Sequence, residues 1–218
     1  MDERIQAIAE AATRLFLQQG YSNTKISHIA KATGVSVGTI YLNFAGKKEI
    51  LHFVLQSTIA PAFVQRTFDR PITDDLFTGL EEKIVGVFET VITDFAEHLT
   101  DETYSLEALV SDAFDLLARY AVICLFIEKN QVDFPTLARS YRAYRHQFLE
   151  IMAQYITAFV ARGMMRPLAQ PALTTTLIVE MLSWWAMDVR YTSFETQDVP
   201  LSQAKAVCLD NILSAYCI

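Results

Sequence analysis

The sequence predicts an all-α protein of about nine to ten helices, with a small N-terminal group of three helices and a larger C-terminal helical bundle. Apolar residues recur with the 3.6-residue period of a helix along most of the chain, and almost no segment alternates as a strand does. Residues 1–60 carry six basic and four acidic side chains, a net charge of +2, whereas the remaining residues carry twelve and twenty-one, a net charge of −9. This asymmetry indicates two regions with different tasks.

Four helices are predicted in the first 60 residues. The apolar stripe from Ile5 to Phe16 indicates the first, and Gly20 is a suitable stop for it. Gly34 ends the second because a tight turn favours a residue that tolerates positive φ, and Ser36 can cap the third. Pro61 ends or kinks the fourth. The predicted bounds are 2–19, 25–33, 36–44 and 47–61.

Longer helices are predicted beyond residue 61. Their apolar residues keep the helical period, and glycine or proline separates several of them. The predicted bounds are 74–99, 103–130 (as one helix or two), 136–163, 171–194 and 201–216.

Several function classes have no support in the sequence. No GxSxG, HExxH, CxxC or phosphate-binding glycine loop occurs, and the four histidines have no metal-ligand spacing, so we expect no enzyme activity, metal or cofactor. The three cysteines read as free thiols rather than a disulfide framework. The longest apolar run, residues 120–127, is far below the roughly 20 residues that cross a bilayer. We therefore expect a cytoplasmic protein with no membrane partner.

Residues 26–44 have the pattern of a helix-turn-helix, the motif that places its second helix in the major groove of DNA. Ile29, Ala30 and Ile40 fall where two short helices must pack, which leaves the small, hydroxyl and aromatic residues of the second helix exposed. Lys47 is a predicted phosphate clamp, and Lys25 and Ser27 are predicted to hold the opposite backbone. The predicted DNA-binding residues are Lys25, Ser27, Ser36, Val37, Gly38, Thr39, Tyr41, Asn43 and Lys47.

The stretch TKISHIAKATGVSVGTIYLNFAGKKEIL resembles the N-terminal signature of the tetracycline-repressor (TetR) family. A dozen positions agree at fixed spacing without gaps, over roughly residues 3–55. The resemblance implies a DNA-binding domain at 1–47 and a ligand-binding and dimerisation domain at 48–218. It also implies base or phosphate contact for Ser36, Val37, Gly38, Thr39, Tyr41 and Lys47. Two positions depart from the family, which often has His or Tyr at Asn43 and a basic residue at Val37.

The C-terminal region is rich in aromatic and methionine residues, which could enclose a cavity for a lipophilic effector. Plain core is the alternative reading for each of them. The predicted pocket residues are Phe88, Tyr120, Phe126, Arg142, Tyr155, Phe159, Met181 and Trp184. Two polar features have open roles. Glu180 could hold a cationic ligand or pair across a dimer, and the stripe from Arg139 to His146 is either a solvated face or an anion site.

The last two helices carry apolar residues on more than one face, which predicts a homodimer through a four-helix interface. The predicted interface residues are Leu177, Ile178, Leu182, Trp185, Leu209, Ile212 and Leu213. Two-fold symmetry would place two reading helices about 34 Å apart on a near-palindromic operator. The sequence therefore predicts a repressor that binds double-stranded operator DNA as a homodimer and is released by a small-molecule effector. The alternatives are a helical small-molecule or protein-binding sensor without DNA binding, and a helical enzyme.

Overall fold

The structure is a computed structural model that describes residues 2–195 and 197–218. Over these residues the regular structure is helical and includes no β-strand, only two isolated bridges. The α-helices are α1 (Glu3–Gln18), α2 (Ile26–Thr33), α3 (Val37–Asn43), α4 (Lys47–Ile59), α5 (Leu80–Ala96), α6 (Leu106–Lys129), α7 (Pro135–Ala161), α8 (Pro171–Ser183), α9 (Val189–Tyr191) and α10 (Leu201–Tyr216). A π-helical segment, Trp184–Asp188, joins α8 to α9 without a break, so the described residues form nine separate α-helical segments, besides short 3-10 helices. The all-α prediction is confirmed.

The predicted helix at 74–99 is divided in the structure. Asp74–Phe77 is a 3-10 helix, and α5 begins only at Leu80. The cause is Gly79, whose φ of 71° lies in the left-handed region and interrupts the helical hydrogen bonding. A helical hydrophobic period runs across this break, which is why the sequence pattern did not reveal it.

Local capping explains the first three helices. Asp2 Oδ1 accepts the backbone N–H of Arg4 (2.9 Å) at the start of α1. Gly34 ends α2 with a φ of 69°, and the backbone N–H of Val35 donates to the Ala30 carbonyl (3.0 Å) across the turn. Gly34 and Val35 therefore set the direction in which the chain enters α3.

The chain divides into two compact units by its internal contacts. The first comprises residues 2–86 with Val122–Ala138, and the second comprises Val87–Ala121 with Arg139–Ile218. The predicted domain boundary after residue 47 stays a prediction, although α4 and the segment that follows it lie in the same compact unit as α1–α3.

The first unit is held by aromatic packing around α1 and α4. The Phe16 ring lies 6.5 Å from the Phe126 ring, and Phe53 lies 5.5 Å from Phe44. Asn130 is buried, and its Oδ1 accepts the backbone N–H of Tyr21 (2.6 Å). The Val122–Ala138 segment is therefore part of the core that supports the turn between α1 and α2.

The second unit has its own aromatic core. Phe88 stacks on Tyr144 at 4.8 Å between ring centroids, and Phe95 packs on Phe148 at 5.1 Å. The Tyr155 hydroxyl is buried and donates to the Phe95 carbonyl (2.6 Å), so this polar group is satisfied inside the core. In the part of the chain that the structure describes, no helix combines the length and hydropathy needed to cross a bilayer.

Candidate nucleic-acid interface

One side of α3 is buried and the other is open to solvent. Ile40 is fully buried and anchors the helix, whereas Val37, Tyr41 and Leu42 are exposed by 41%, 50% and 70%. This division confirms that the small and aromatic residues of α3 form an outward surface. Leu42, which the sequence interpretation did not include, is the most exposed apolar residue of that surface.

The hydroxyl groups of α3 are arranged by the helix cap. The backbone N–H of Thr39 donates to Ser36 Oγ (3.1 Å), and the two side-chain oxygens lie 2.9 Å apart. Ser36 is therefore the N-cap of α3, as the sequence predicts. The cap also fixes the rotamer of Thr39 and so the direction of its methyl group.

Gly38 is exposed, and the fold does not require a glycine there. It does not have a positive φ, and a Cβ added to it would meet Ser36 Oγ at 3.6 Å, an ordinary van der Waals distance. A glycine in a helix costs about 1 kcal/mol relative to alanine. Packing and backbone conformation within the protein therefore do not explain why residue 38, on the outward surface of α3, is a glycine.

Asn43 is not on the outward surface, and this prediction is wrong. Its side chain is 2% exposed, its Nδ2 donates to the Thr39 carbonyl (2.8 Å), and its Oδ1 accepts from Arg70 Nη1 (2.9 Å). Because the side chain is buried and both its amide nitrogen and its amide oxygen bond to protein atoms, Asn43 does not face a base or a phosphate. Arg70 lies 27 residues further along the chain, and no local pattern could have shown the pairing.

Lys47 has a structural role that the sequence interpretation missed. Its Nζ donates to the carbonyls of Tyr21 (2.8 Å) and Thr24 (2.9 Å) and lies 4.1 Å above the Tyr21 ring. Partial burial lowers the pKa of this ammonium group. An ammonium has three donors, and the two carbonyls take two of them, so the predicted phosphate contact can use at most one N–H and stays a prediction.

The remaining predicted contacts lie at the start of α2. Lys25 and Ser27 are exposed, and Lys25 is the residue immediately before the helix. The backbone N–H of Lys25 donates to His28 Nδ1 (3.4 Å), so His28 acts as a cap rather than as a free surface group. Contact of Lys25 and Ser27 with DNA stays a prediction.

The residues predicted to line an effector pocket do not form one group. Phe126 belongs to the first compact unit, where it packs against Phe16 and Phe134, whereas the other members belong to the second. Phe126 is thus a core residue of the first unit, and its place in an effector pocket stays a prediction. The two exposed members are Arg142 and Trp184, and Met181 is half-buried. The four buried members are Phe88, Tyr120, Tyr155 and Phe159.

The residues predicted to form a dimer interface divide into buried and accessible members. Ile178, Leu182 and Ile212 are completely buried within the single chain, so their assignment to an interface is wrong. α8 has apolar residues on two faces, but only one of these faces packs into the core of the chain. The members that keep accessible surface are Leu177, Trp185, Leu209 and Leu213.

Glu180 is paired within the chain. Its Oε1 accepts from Arg145 Nη2 at 3.0 Å, and the glutamate side chain is 56% exposed. His146, from the same basic stripe as Arg145, lies 3.3 Å from Glu150 one turn further along α7. The charge of Glu180 therefore needs neither a ligand nor a partner subunit to compensate it.

The first unit contains an open cleft with a volume of about 720 Å³. Its wall includes the aromatic rings of Tyr21, Phe77 and Phe134, and one side is formed by Lys48 and His52 of α4, which both contact the Asp74 carboxylate (2.7 and 2.6 Å). These contacts hold the pKa of Asp74 below its usual range, with the Lys48 hydrogen bond as the largest cause. The carboxylates around the cleft are Asp74, Asp75, Glu81, Glu82 and Asp133. The sequence analysis did not identify this cleft.

No metal centre accompanies these sites. Within 2–195 and 197–218, no three or more His, Cys, Asp or Glu side chains come together as a metal ion would need.

Comparison with known proteins finds relatives of the N-terminal helices. Residues 8–54 match the family model described as bacterial regulatory proteins, tetR family. Over 101 residues the chain is 32% identical to the HTH-type transcriptional regulator AcrR of Shigella flexneri, covering 46% of this chain and 47% of that protein. Over 59 residues it is 42% identical to the HTH-type transcriptional regulator HbdR of Aromatoleum sp. (strain CIB), covering 27% and 26%. The matches thus span about half, or less, of the length of these relatives.

One solved structure shares the fold of the whole chain. The ketosteroid transcriptional regulator KstR2 of Mycobacterium tuberculosis has a TM-score of 0.57, covering 100% of this chain and 97% of that one at 15% sequence identity. The similarity at this level is one of fold. The similarity of fold includes the helices that follow the helix-turn-helix.

Proposed function

We propose that this chain is a ligand-responsive transcriptional repressor of the TetR family. The match of residues 8–54 to that family's model and the similarity to the regulator AcrR support this. It binds a near-palindromic operator as a homodimer, and a small, mainly lipophilic effector releases it. The observation that carries the DNA-binding part is the outward surface of α3, where Val37, Gly38 and Tyr41 stand exposed beside the Ser36–Thr39 cap.

The composition of this surface suits the major groove. An α-helix enters the groove with its N-terminal residues facing the base edges, and methyl groups contact thymine while hydroxyl groups reach bases or phosphates. Gly38 supports close approach because it leaves the backbone of α3 uncovered. The phenol of Tyr41 and the remaining N–H of Lys47 are suited to phosphate oxygens.

Exposed apolar residues on the last helices support the homodimer. Leu173, Leu177 and Trp184 lie on one side of the continuous helix that begins with α8, and Val207 lies on α10. Each is between 47% and 69% exposed. Such a group of large apolar side chains is typical of a surface that another protein covers.

The cleft in the first unit supports the ligand-responsive part. Its volume of about 720 Å³ falls within the roughly 300–1,000 Å³ of small-molecule sites. The aromatic rings of Tyr21, Phe77 and Phe134 suit a lipophilic body, and the surrounding carboxylates favour an effector with a positive charge. The cleft borders α4 and the turn between α1 and α2, so an occupant would act on elements that carry α3.

Fluorescence anisotropy with the DNA upstream of the protein's own gene tests the DNA-binding part. We expect specific, salt-sensitive binding, because phosphate contacts release counterions. Tyr41→Ala is expected to abolish that binding and to leave the helical circular dichroism unchanged. Tyr191→Ala, which alters a half-buried tyrosine of α9, is the matched control and is expected to bind as the wild type does.

A folded protein without salt-sensitive specific binding would contradict the proposal. It would favour the alternative of a helical sensor that binds a small molecule or a protein but no DNA.

A further inference from the structure

The C-terminal end of α3 is held by an arginine from a distant segment. Arg70 Nη1 donates to Asn43 Oδ1 (2.9 Å), and Arg70 Nη2 pairs with the Asp2 carboxylate. Asp2 is the N-cap of α1, and Asn43 is the last residue of α3. One guanidinium therefore connects the beginning of the first helix to the end of the third.

The backbone of the same segment holds the end of α3 as well. The N–H of Ile72 donates to the Asn43 carbonyl (2.8 Å), and the N–H of Ala45 donates to the Ile72 carbonyl (2.9 Å). Ile72 is buried, and Phe44 beside it is fully buried. Residues 70–72 thus form a clamp on the last turn of α3, made of two backbone bonds and one charged side chain.

A clamp of this kind matters because α3 has only seven residues. A helix this short has little stability of its own, and its direction depends on what holds its two ends. The Ser36 cap and the Gly34 turn hold the first end, and the clamp holds the other. An error of 1 Å in the position of a contacting side chain is sufficient to weaken recognition greatly.

We infer that Arg70 is a positioning residue for the DNA-reading surface of α3, acting through Asn43 and Asp2 rather than by its own contact with DNA. The inference rests on the proposed DNA-binding function. It also assigns a role to Asn43, which fixes the orientation of α3 from inside the protein.

Two variants separate positioning from direct phosphate contact. Asp2→Asn keeps a good helix cap but removes the carboxylate that holds Arg70. If Arg70 acts by positioning, affinity for the specific duplex falls, whereas removal of a negative charge alone would raise it. Arg70→Lys keeps the positive charge but lacks the planar fork that reaches both partners, so positioning predicts that lysine does not replace arginine.

The experiment measures affinity by anisotropy against salt concentration for the full chain and for Arg70→Ala, Arg70→Lys and Asp2→Asn. We expect each variant to bind the specific duplex at least tenfold more weakly, with an unchanged salt slope. Loss of a direct phosphate contact would instead lower the slope by about one. Tighter binding of the duplex by Asp2→Asn, or wild-type affinity of Arg70→Lys for the duplex, would overturn the inference.

Hydrogen exchange gives a readout that does not depend on DNA. The backbone amides of residues 37–45 are expected to exchange faster in Arg70→Ala and Asp2→Asn, while those of α7 stay unchanged. Unchanged exchange at 37–45 would refute the clamp whatever the DNA result. A wild-type protein that binds no duplex but shows this change would refute the proposed function and leave the clamp in place.

Discussion

Gly38 is a residue whose identity the fold does not explain and binding of a partner can. Nothing in the protein needs the absence of a side chain there, because an added Cβ would make only an ordinary contact with Ser36. Helix propensity opposes glycine at an exposed helical position. The proposed close approach of DNA to α3 would require a glycine at this position.

Gly38→Ala is therefore expected to separate stability from binding. The free energy of unfolding should stay constant or rise by up to about 1 kcal/mol, because alanine is the better helix former. Affinity for operator DNA should fall tenfold or more, because the methyl group enters the space between α3 and the base edges. Denaturant unfolding and anisotropy on the same sample test both parts, and an unchanged affinity would contradict close approach at this residue.

Lys47, in contrast to Gly38, is expected to contribute to the stability of the fold. Lys47→Met should lower the melting temperature, because it leaves the Tyr21 and Thr24 carbonyls without their donor. Lys25→Met, at an exposed position, should leave the melting temperature unchanged and reduce only the affinity for DNA. Thermal unfolding monitored by circular dichroism compares the two, and equal melting temperatures would contradict the structural role of Lys47.

The residues of the site that sequence reasoning found are those whose signals are local. Ser36 and Gly34 act on backbone groups within five residues, so spacing alone revealed them. The burial of Asn43 depends on Arg70, and the occupation of Lys47 depends on the turn between α1 and α2. Such pairings between distant residues leave no periodic trace in a single sequence.

At the scale of elements, α8 and α10 show what a hydrophobic pattern can and cannot decide. The prediction of 201–216 matches α10, and the prediction of 171–194 is close to the continuous helix formed by α8, the π-helical segment and α9, because helical periodicity is a property of the chain itself. The choice between core and interface was not decided by the pattern, because Ile178 and Leu177 are neighbours with equal apolar character. Packing buries Ile178 and leaves Leu177 exposed by 55%.

The two neighbours should respond differently to substitution. Leu177→Glu is expected to convert a homodimer to a monomer without unfolding it, because the change introduces a charge on an exposed apolar face. Ile178→Ala is expected to destabilise the fold by about 2–5 kcal/mol through the cavity it leaves. Sedimentation equilibrium measures the first effect, with Val132→Glu on another exposed surface as the control. A dimer that survives Leu177→Glu would argue against this interface.

Alkaline pH should weaken α10 through one buried thiol. Burial raises the pKa of Cys208 from 9.0 to about 11, because the folded environment disfavours the thiolate. The contribution of the neutral thiol is complete below pH 9 and is lost as the pH rises toward 11. The wild type should therefore lose stability over this interval relative to Cys208→Ala. Parallel pH profiles of the two proteins would contradict the assignment.

At the scale of the whole molecule, charge is distributed unevenly along the chain. The first 60 residues carry a net charge of +2 within a chain whose overall charge is −7, so attraction to DNA is concentrated at the N-terminal part. The cleft in the first unit adds a concentration of carboxylates beside α4. The sequence could not show it, because it arises from side chains that lie far apart along the chain.

A lipophilic organic cation is expected to bind this cleft and to release DNA. Tetraphenylphosphonium should raise the melting temperature and lower the anisotropy of the protein–DNA complex, whereas tetraphenylborate, an anion of similar size and shape, should do neither. The triple variant Asp75→Asn, Glu81→Gln, Glu82→Gln removes charge at exposed positions. It should still bind DNA, with an affinity equal to or above that of the wild type, but should lose the response to the cation. Equal effects of the cation on both proteins would place its site elsewhere.

Selection from a pool of random-sequence duplexes tests the central claim, that the outward surface of α3 reads DNA, most directly. The wild-type chain is predicted to enrich a pair of inverted half-sites centred about 10 base pairs apart, and Tyr41→Ala is predicted to enrich none. A pool that keeps its random composition after repeated rounds with folded wild-type protein, or the same motif enriched by Tyr41→Ala, would contradict the claim.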